Sequence, residues 1–233
     1  MNLLAFETST EACSVAVWRN GEVFERFEVA PRRHAELALP WADALLAEAG
    51  VARSQLDAVA VGRGPGAFTG VRLGIALAQG IALALDLPVA PVSTLAALAM
   101  RAPAPGPVLA AIDARMGEVY AAAFEFDGRG VRALGPERVC APGAFEMPGD
   151  GGGWQGVGTG FAAADGALRE RLGARLASVD ARALPRAGDV ARLAVQASGR
   201  GELVAPERVE PAYLRDNVAL TLAEQQALRQ GRD

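Results

Sequence analysis

Residues 5–21, AFETSTEACSVAVWRNG, and residues 111–128, AIDARMGEVYAAAFEFDG, lie over one another without a gap until the final turn. Glu7 falls on Asp113, Ser14 on Tyr120 and Trp18 on Phe124, and Asp127-Gly128 follows one residue later than Asn20-Gly21. Each copy reads as a strand that ends in an acid, followed by a strand of alternating apolar residues. Asn-Gly and Asp-Gly then close hairpins, because these residues tolerate positive φ. A unit repeated in this way predicts a duplicated fold.

Working outward, EVFERFEV is a third strand, and a helix follows over roughly 34–49, ended by Gly50. Pro40 should weaken or bend its first turns. DAVAVGRG is the next strand, and a second helix runs from Thr69, the expected N-cap, to about Leu85. PVAPV and STLAALAMR give another strand and a short helix. The proline-rich stretch 102–107, APAPGP, reads as a stiff connector between an N-terminal lobe, 1–101, and a C-terminal lobe, 108–233. Two such copies describe an α/β, two-lobed, actin-like ATPase (ASKHA, ribonuclease-H-like duplicated) architecture. That is an analogy of fold and leaves function open.

Composition narrows the function. The net charge of −4 carries no overall basic footprint, so unaided nucleic-acid binding is not indicated. All 23 basic residues are arginine, a compositional bias that weakens any argument from arginine alone. The N-terminus lacks a basic region and a cleavage site, so it does not read as a signal peptide. The apolar run LGIALAQGIALALDL reads as too short for a bilayer, which leaves no expected membrane contact. Two distant cysteines fit a reducing compartment, and the cytoplasm is expected. His34 is the single histidine, so no transition-metal site is expected and no Ser-His or Cys-His pair other than one through His34.

VGRGPGAFTGVRLG, residues 61–74, looks like a phosphate loop but is neither Walker A nor Gly-x-Gly-x-x-Gly. Gly62, Gly64, Pro65 and Gly66 read as a tight turn. Glu7, Thr8, Ser9 and Asp113 are the candidate nucleotide-binding residues, but the first turn has no glycine and the second carries bulky side chains. GDGGGWQGVGTG, residues 149–160, reads as a flexible surface loop. Along the helix after the first loop, apolar residues point in every direction, with Gly70-Gly74-Ala78 and Ala76-Gly80-Ala84 as two ridges of small residues. Such a helix must be covered on all sides, either by the rest of a larger single domain or by a partner. The expected partner surface is Leu37, Trp41, Leu45, Phe68, Arg72, Leu73, Gly74, Leu77, Ala78 and Ile81.

MNLLAFETSTEACSVAVWRNG, RRHAELALPWADALLAEAG, LDAVAVGRGPGAFTGVRLGIALAQGIALAL and PVAPVSTLAALA together resemble the bacterial TsaB (YeaZ) family over the first hundred residues. IDARMGEVYAAAF and EPAYLRDNVAL resemble it more loosely. The resemblance implies a subunit without its own active site in the machinery that makes N6-threonylcarbamoyladenosine at position 37 of tRNA. It implies pairing with the transferase TsaD through the two helices, docking of TsaE, homodimers when alone, and tRNA contact only through the complex. No cofactor is implied for the isolated chain; ADP or ATP has a place at an interface of the full complex. TsaD holds its metal partly with His-x-x-x-His, whereas Ala38 stands four residues after His34. The competing readings are a small-molecule phosphotransferase of the sugar-kinase/acetate-kinase class, using Glu7 and Asp113, and a metallopeptidase.

Overall fold

The computed structural model describes residues 1–215. Its first half holds β1 (Asn2–Glu7), β2 (Ala12–Arg19), β3 (Glu22–Val29), α1 (His34–Glu48), β4 (Ala58–Gly62), α2 (Phe68–Leu85), β5 (Val89–Val92) and α3 (Thr94–Ala99). The second holds β6 (Gly106–Arg115), β7 (Glu118–Phe126), β8 (Val131–Ala133), β9 (Arg138–Cys140), β10 (Trp154–Val157), α4 (Ala167–Leu172), β11 (Leu176–Asp180) and α5 (Ala187–Gly199).

The first sheet runs β3-β2-β1-β4-β5, and the second runs β8-β7-β6-β10-β11 with β9 also on β7. In each, the leading strand is antiparallel to its hairpin partner and parallel to the strand on its other side. Two sheets of the same order and sense are what the duplicated sequence unit foretells. The gapless overlay nevertheless misplaces one register. Glu7 pairs with Ser14, but Asp113 pairs with Val119, and Tyr120 pairs with Ile112. The physical reason is the turn: Thr8 to Glu11 link β1 to β2, whereas only Met116 and Gly117 link β6 to β7, after a bulge between Asp113 and Arg115.

Three local readings also change. Ala67, not Thr69, is the N-cap of α2, with no side-chain cap, because its N–H is taken by the Ser9 carbonyl at 2.7 Å. Part of the connector is strand, since β6 begins at Gly106; Pro107 is tolerated there because β10 pairs only from Val108 onward. Residues 149–160 are a surface loop only over 149–153, which are exposed: Trp154–Val157 is a buried strand, and added Cβ atoms at Gly156 and Gly160 would strike Phe161 and Ala111. Asn20 and Gly21, with φ of 49° and 101°, form the expected hairpin turn.

Strand alternation sorts the core. Leu4, Phe6, Val15, Val17, Val59 and Val61 face α1 and α2. Ala5, Ala16, Ala58, Ala60 and Ala90 face the other way, and this alanine floor lets α5 settle closely through Ala187, Val190, Ala191 and Ala194. α3, from the front half, packs on β6 and β7, and α5, from the back half, packs on β1, β2, β4 and β5. The two helices therefore form a shared layer between the sheets. Ser14 and Glu25 accept the N–H groups of Ala187 and Gly188 at the start of α5, at 2.9 and 2.8 Å. Asp189, 3% exposed, takes Arg101 and Arg192 at 3.3 and 2.8 Å; burial raises its pKa against the pull of the two arginines.

Candidate functional site

The glycine-rich loop after β4 folds onto the β1–β2 turn. A Cβ at Gly62 would overlap the Glu7 carboxyl, one at Gly66 the Ser9 carbonyl, and one at Gly70 the Thr8 carbonyl; at Gly74 it would lie 2.7 Å from Thr8 Oγ1. Gly64 adds a φ of +94°, and the Gly64–Pro65 peptide is cis. The glycines exist for close approach of this chain to itself. Thr8 Oγ1 donates to the Gly70 carbonyl at 2.7 Å, so a hydroxyl that a phosphate would need is already committed.

Glu7 sits under this lid, 1% exposed. Its Oε1 accepts the Ser9 N–H at 2.7 Å, and its Oε2 lies 3.1 Å from Thr94 Oγ1, which also meets Ser9 Oγ at 3.0 Å and the Gly64 N–H at 3.2 Å. Burial raises the Glu7 pKa, only partly countered by hydrogen bonds from Ser9, Thr94 and Thr8. Asp113, the matching acid of the second sheet, is tied to Arg115 by a backbone N–H at 2.8 Å and a guanidinium at 2.9 Å. The first acid is enclosed and the second neutralised, so neither is placed to hold magnesium. Among the described residues no group of three or more His, Cys, Asp or Glu could hold a metal. His34 Nε2 donates to the Thr10 and Ala12 carbonyls at 2.9 and 3.1 Å, pinning the start of α1 to the same turn.

A cavity of about 1070 Å³ remains between the lobes, lined by Ser9 to Glu11, the start of α2, Asp113 to Arg115 and residues 211–215. The last of these segments is a strap. Val204 bridges to Val89, Gln79 donates to the Pro206 carbonyl at 2.9 Å, and Ala212 N–H reaches the Arg63 carbonyl at 2.8 Å. Arg72 donates to the Tyr213 hydroxyl, and Arg215 pairs with Glu118.

The second surface is the outside of α2. Only Val71, Gly74, Ile75, Ala78 and Ala82 of its 18 residues are buried. The helix is long and apolar enough to cross a membrane by length and composition, contrary to the expectation that this run is too short. Of the two small-residue ridges, Gly70-Gly74-Ala78 turns inward, while Ala76, Gly80 and Ala84 are exposed beside Leu83, which is 62% exposed. A Cβ at Gly80 would meet nothing within 4 Å.

The residues expected to face a partner divide accordingly. Gly74, Ala78 and Leu45 are corrected: they fill this chain's own core, because one side of each helix must cover the first sheet. Leu37, Trp41, Leu73, Leu77 and Ile81 are half-buried at the helix flanks, and Phe68 and Arg72 stand at the cleft mouth. Leu39, Leu83 and Tyr213 are exposed large side chains that the expected set leaves out. For Leu83 the signal was its position beside the second ridge; nothing local marks Tyr213. Of EPAYLRDNVAL, residues 216–220 lie outside the described residues.

With this geometry in hand, comparisons with known proteins identify the kin. The family model of TsaD, tRNA N6-adenosine threonylcarbamoyltransferase, matches residues 27–222. The tRNA threonylcarbamoyladenosine biosynthesis protein TsaB of Escherichia coli K12 is 44% identical over 94% of this chain and 96% of its own length. TsaB of Haemophilus influenzae is 52% identical over 52% of each chain. The solved structure of YeaZ from Pseudomonas aeruginosa superposes with a TM-score of 0.85 at 47% identity, covering 91% of this chain and 99% of that one. A second solved structure, described as an uncharacterized protein with similarity to peptidase YEAZ from Pseudomonas aeruginosa, gives 0.86 at 47% identity, covering 92% and 99%. Sequence, sheet order and whole-chain superposition agree that the chain belongs to the TsaB (YeaZ) family.

Proposed function

We propose that this chain is a subunit without its own active site in N6-threonylcarbamoyladenosine modification of tRNA, and that it supports the transferase TsaD. The carrying observation is the outer face of α2. A helix this apolar leaves most of its residues outside the core, and Ala76, Gly80 and Ala84 make a groove into which another helix fits. TsaD is the occupant because the family model of TsaD itself matches this fold, so a TsaD chain has a corresponding helix to lay against α2. Desolvation of Leu83, Leu77 and Ile81 would supply affinity. The exposed side of α1 contributes less, since Glu36, Asp43 and Glu48 lie on it. In this reading TsaE docks on the pair, a lone chain forms homodimers through the same face, and the protein works in the cytoplasm.

Gly80→Leu and Leu83→Asp are expected to lose co-elution with TsaD by about a hundredfold in affinity while melting like the parent. An added side chain at Gly80 meets open space, and Leu83 is 62% exposed, so neither change empties the core. Unchanged binding in both variants would refute the assigned face. The phosphotransferase alternative fails on the enclosed Glu7 carboxyl: calorimetric titration of the isolated chain with Mg-ATP is expected to show no saturable heat. A peptidase reading has no support in the site, because His34, the chain's one histidine, is bound to two carbonyls and not to a nucleophile.

A further inference from the structure

We infer that the mouth of the cleft between the lobes is a contact surface for single-stranded RNA, such as the loop of a folded RNA. The inference rests on the proposed function only for the choice of tRNA as the natural source. Among the described residues, six large apolar side chains are exposed, and two of them, Phe68 and Tyr213, each 57% exposed, line this cavity. Phe68 and Tyr213 are the only aromatic ones. Between them lies Arg72, its guanidinium 3.6 Å from the Phe68 ring centroid and 5.6 Å from that of Tyr213. Its Nε and Nη2 donate to the Tyr213 hydroxyl at 3.0 and 2.7 Å. The three planar groups form one platform on which a base can stack, and the cation is held in place by a phenol that does not neutralise it.

The charge around this platform is arranged for a backbone. The cavity lining carries Arg32, Arg72, Arg115 and Arg215 against Glu11 and Asp113, in a chain whose net charge is −4. Arg215 is engaged with Glu118, and Arg115 shares Asp113 while its side chain remains 82% exposed. Arg32 projects from a left-handed residue, φ +69°, just before α1. Arg32, Arg72 and Arg115 therefore come from three separate elements spread around one rim. Donors offered by separate elements suit the successive phosphates of a strand, whereas a mononucleotide needs a cradle of donors converging on one point. That convergent cradle is closed here, because Gly66 and Gly70 press the helix start onto the Thr8-Ser9 turn. The floor, Ile112, Ala114 and Val71, is apolar and suits a base more than an ion.

The test is fluorescence anisotropy of a labelled RNA hairpin with the full chain, read beside TsaD co-elution. Binding is expected to fall about twentyfold for a fourfold rise in salt, as about three phosphate contacts require. The Arg32→Glu/Arg115→Glu double variant should bind the hairpin at least tenfold more weakly, melt like the parent and still co-elute with TsaD. Leu83→Asp should do the reverse. A blunt duplex without a loop should bind less than the hairpin. No anisotropy change at low salt, equal binding by the double variant, or displacement of the hairpin by an equimolar amount of AMP would overturn the inference. A chain that binds the hairpin but never TsaD would sink the scaffold reading and leave this one standing.

Discussion

Gly70→Leu is expected to cost about 3 kcal/mol or more and to lower the melting temperature by about 10 °C, if the chain accumulates folded at all. A Cβ at this position would occupy the space of the Thr8 carbonyl oxygen. The obstacle is backbone, so no rotamer change relieves it. Backbone movement would separate α2 from the turn it seals and break the Thr8 Oγ1 to Gly70 carbonyl bond and the Ala67 N–H to Ser9 carbonyl bond, both at 2.7 Å. Gly80, ten residues along the same helix, makes the contrast. It has a free side, and replacing a helical glycine removes a propensity cost of about 1 kcal/mol, so Gly80→Leu should melt no lower than the parent. Thermal melting of the two variants side by side is the measurement. Equal melting would mean that the loop does not close over the β1–β2 turn.

That contrast shows how far sequence reading reached. The hairpin turns, the repeat and the helix α1 depend on spacing and turn chemistry carried within a few residues, and they were legible. The two glycine-alanine ridges of α2 look alike in one dimension. Which one faces inward is decided by Thr8, some sixty residues earlier in the chain, and no local pattern records it. The same holds for α3 and α5. α3 reads as an ordinary helix of its own half, and α5 is not among the elements read from the sequence, yet α3 covers the second sheet and α5 the first, because the alanine faces of β1, β2, β4 and β5 admit a helix from elsewhere. The expected cap at Thr69 followed residue preference; the chain instead enters α2 from Ala67, whose N–H is taken by Ser9. Within the candidate site, Phe68 and Arg72 were legible as surface, but their platform with Tyr213 joins residues 141 apart.

Glu7→Gln is expected to stabilise the fold progressively as pH rises, whereas Glu7→Ala should cost about 2–4 kcal/mol at about pH 5, a cost that shrinks as pH rises. Oε1 accepts the Ser9 N–H, Oε2 accepts from Thr94 Oγ1, and Thr94 Oγ1 in turn accepts the Gly64 N–H and meets Ser9 Oγ. Glutamine keeps an acceptor for the Ser9 N–H and carries no charge that burial penalises. Alanine leaves the Ser9 N–H without an acceptor and opens a void under the lid. The sign follows from linkage: burial raises the folded pKa above its ordinary 4.5, so the folded state holds a proton that the unfolded chain has released. Stability is therefore fullest below that ordinary value and declines as pH climbs to the folded one. Glu7→Gln lacks this decline, so its advantage should be larger at about pH 7 than at about pH 5. Asp189, also raised by burial, adds a decline of the same sign to parent and variant alike and cancels in the difference. Urea unfolding at the two pH values reads the effect, and parallel stability curves for parent and Glu7→Gln would show that the acid is ionised in the folded protein. Only in that case would the position regain the charge that a magnesium-nucleotide site demands. An acid enclosed at the end of β1 and held by Ser9 and Thr94 is a packing and hydrogen-bonding residue, in keeping with the role proposed for the outer face of α2.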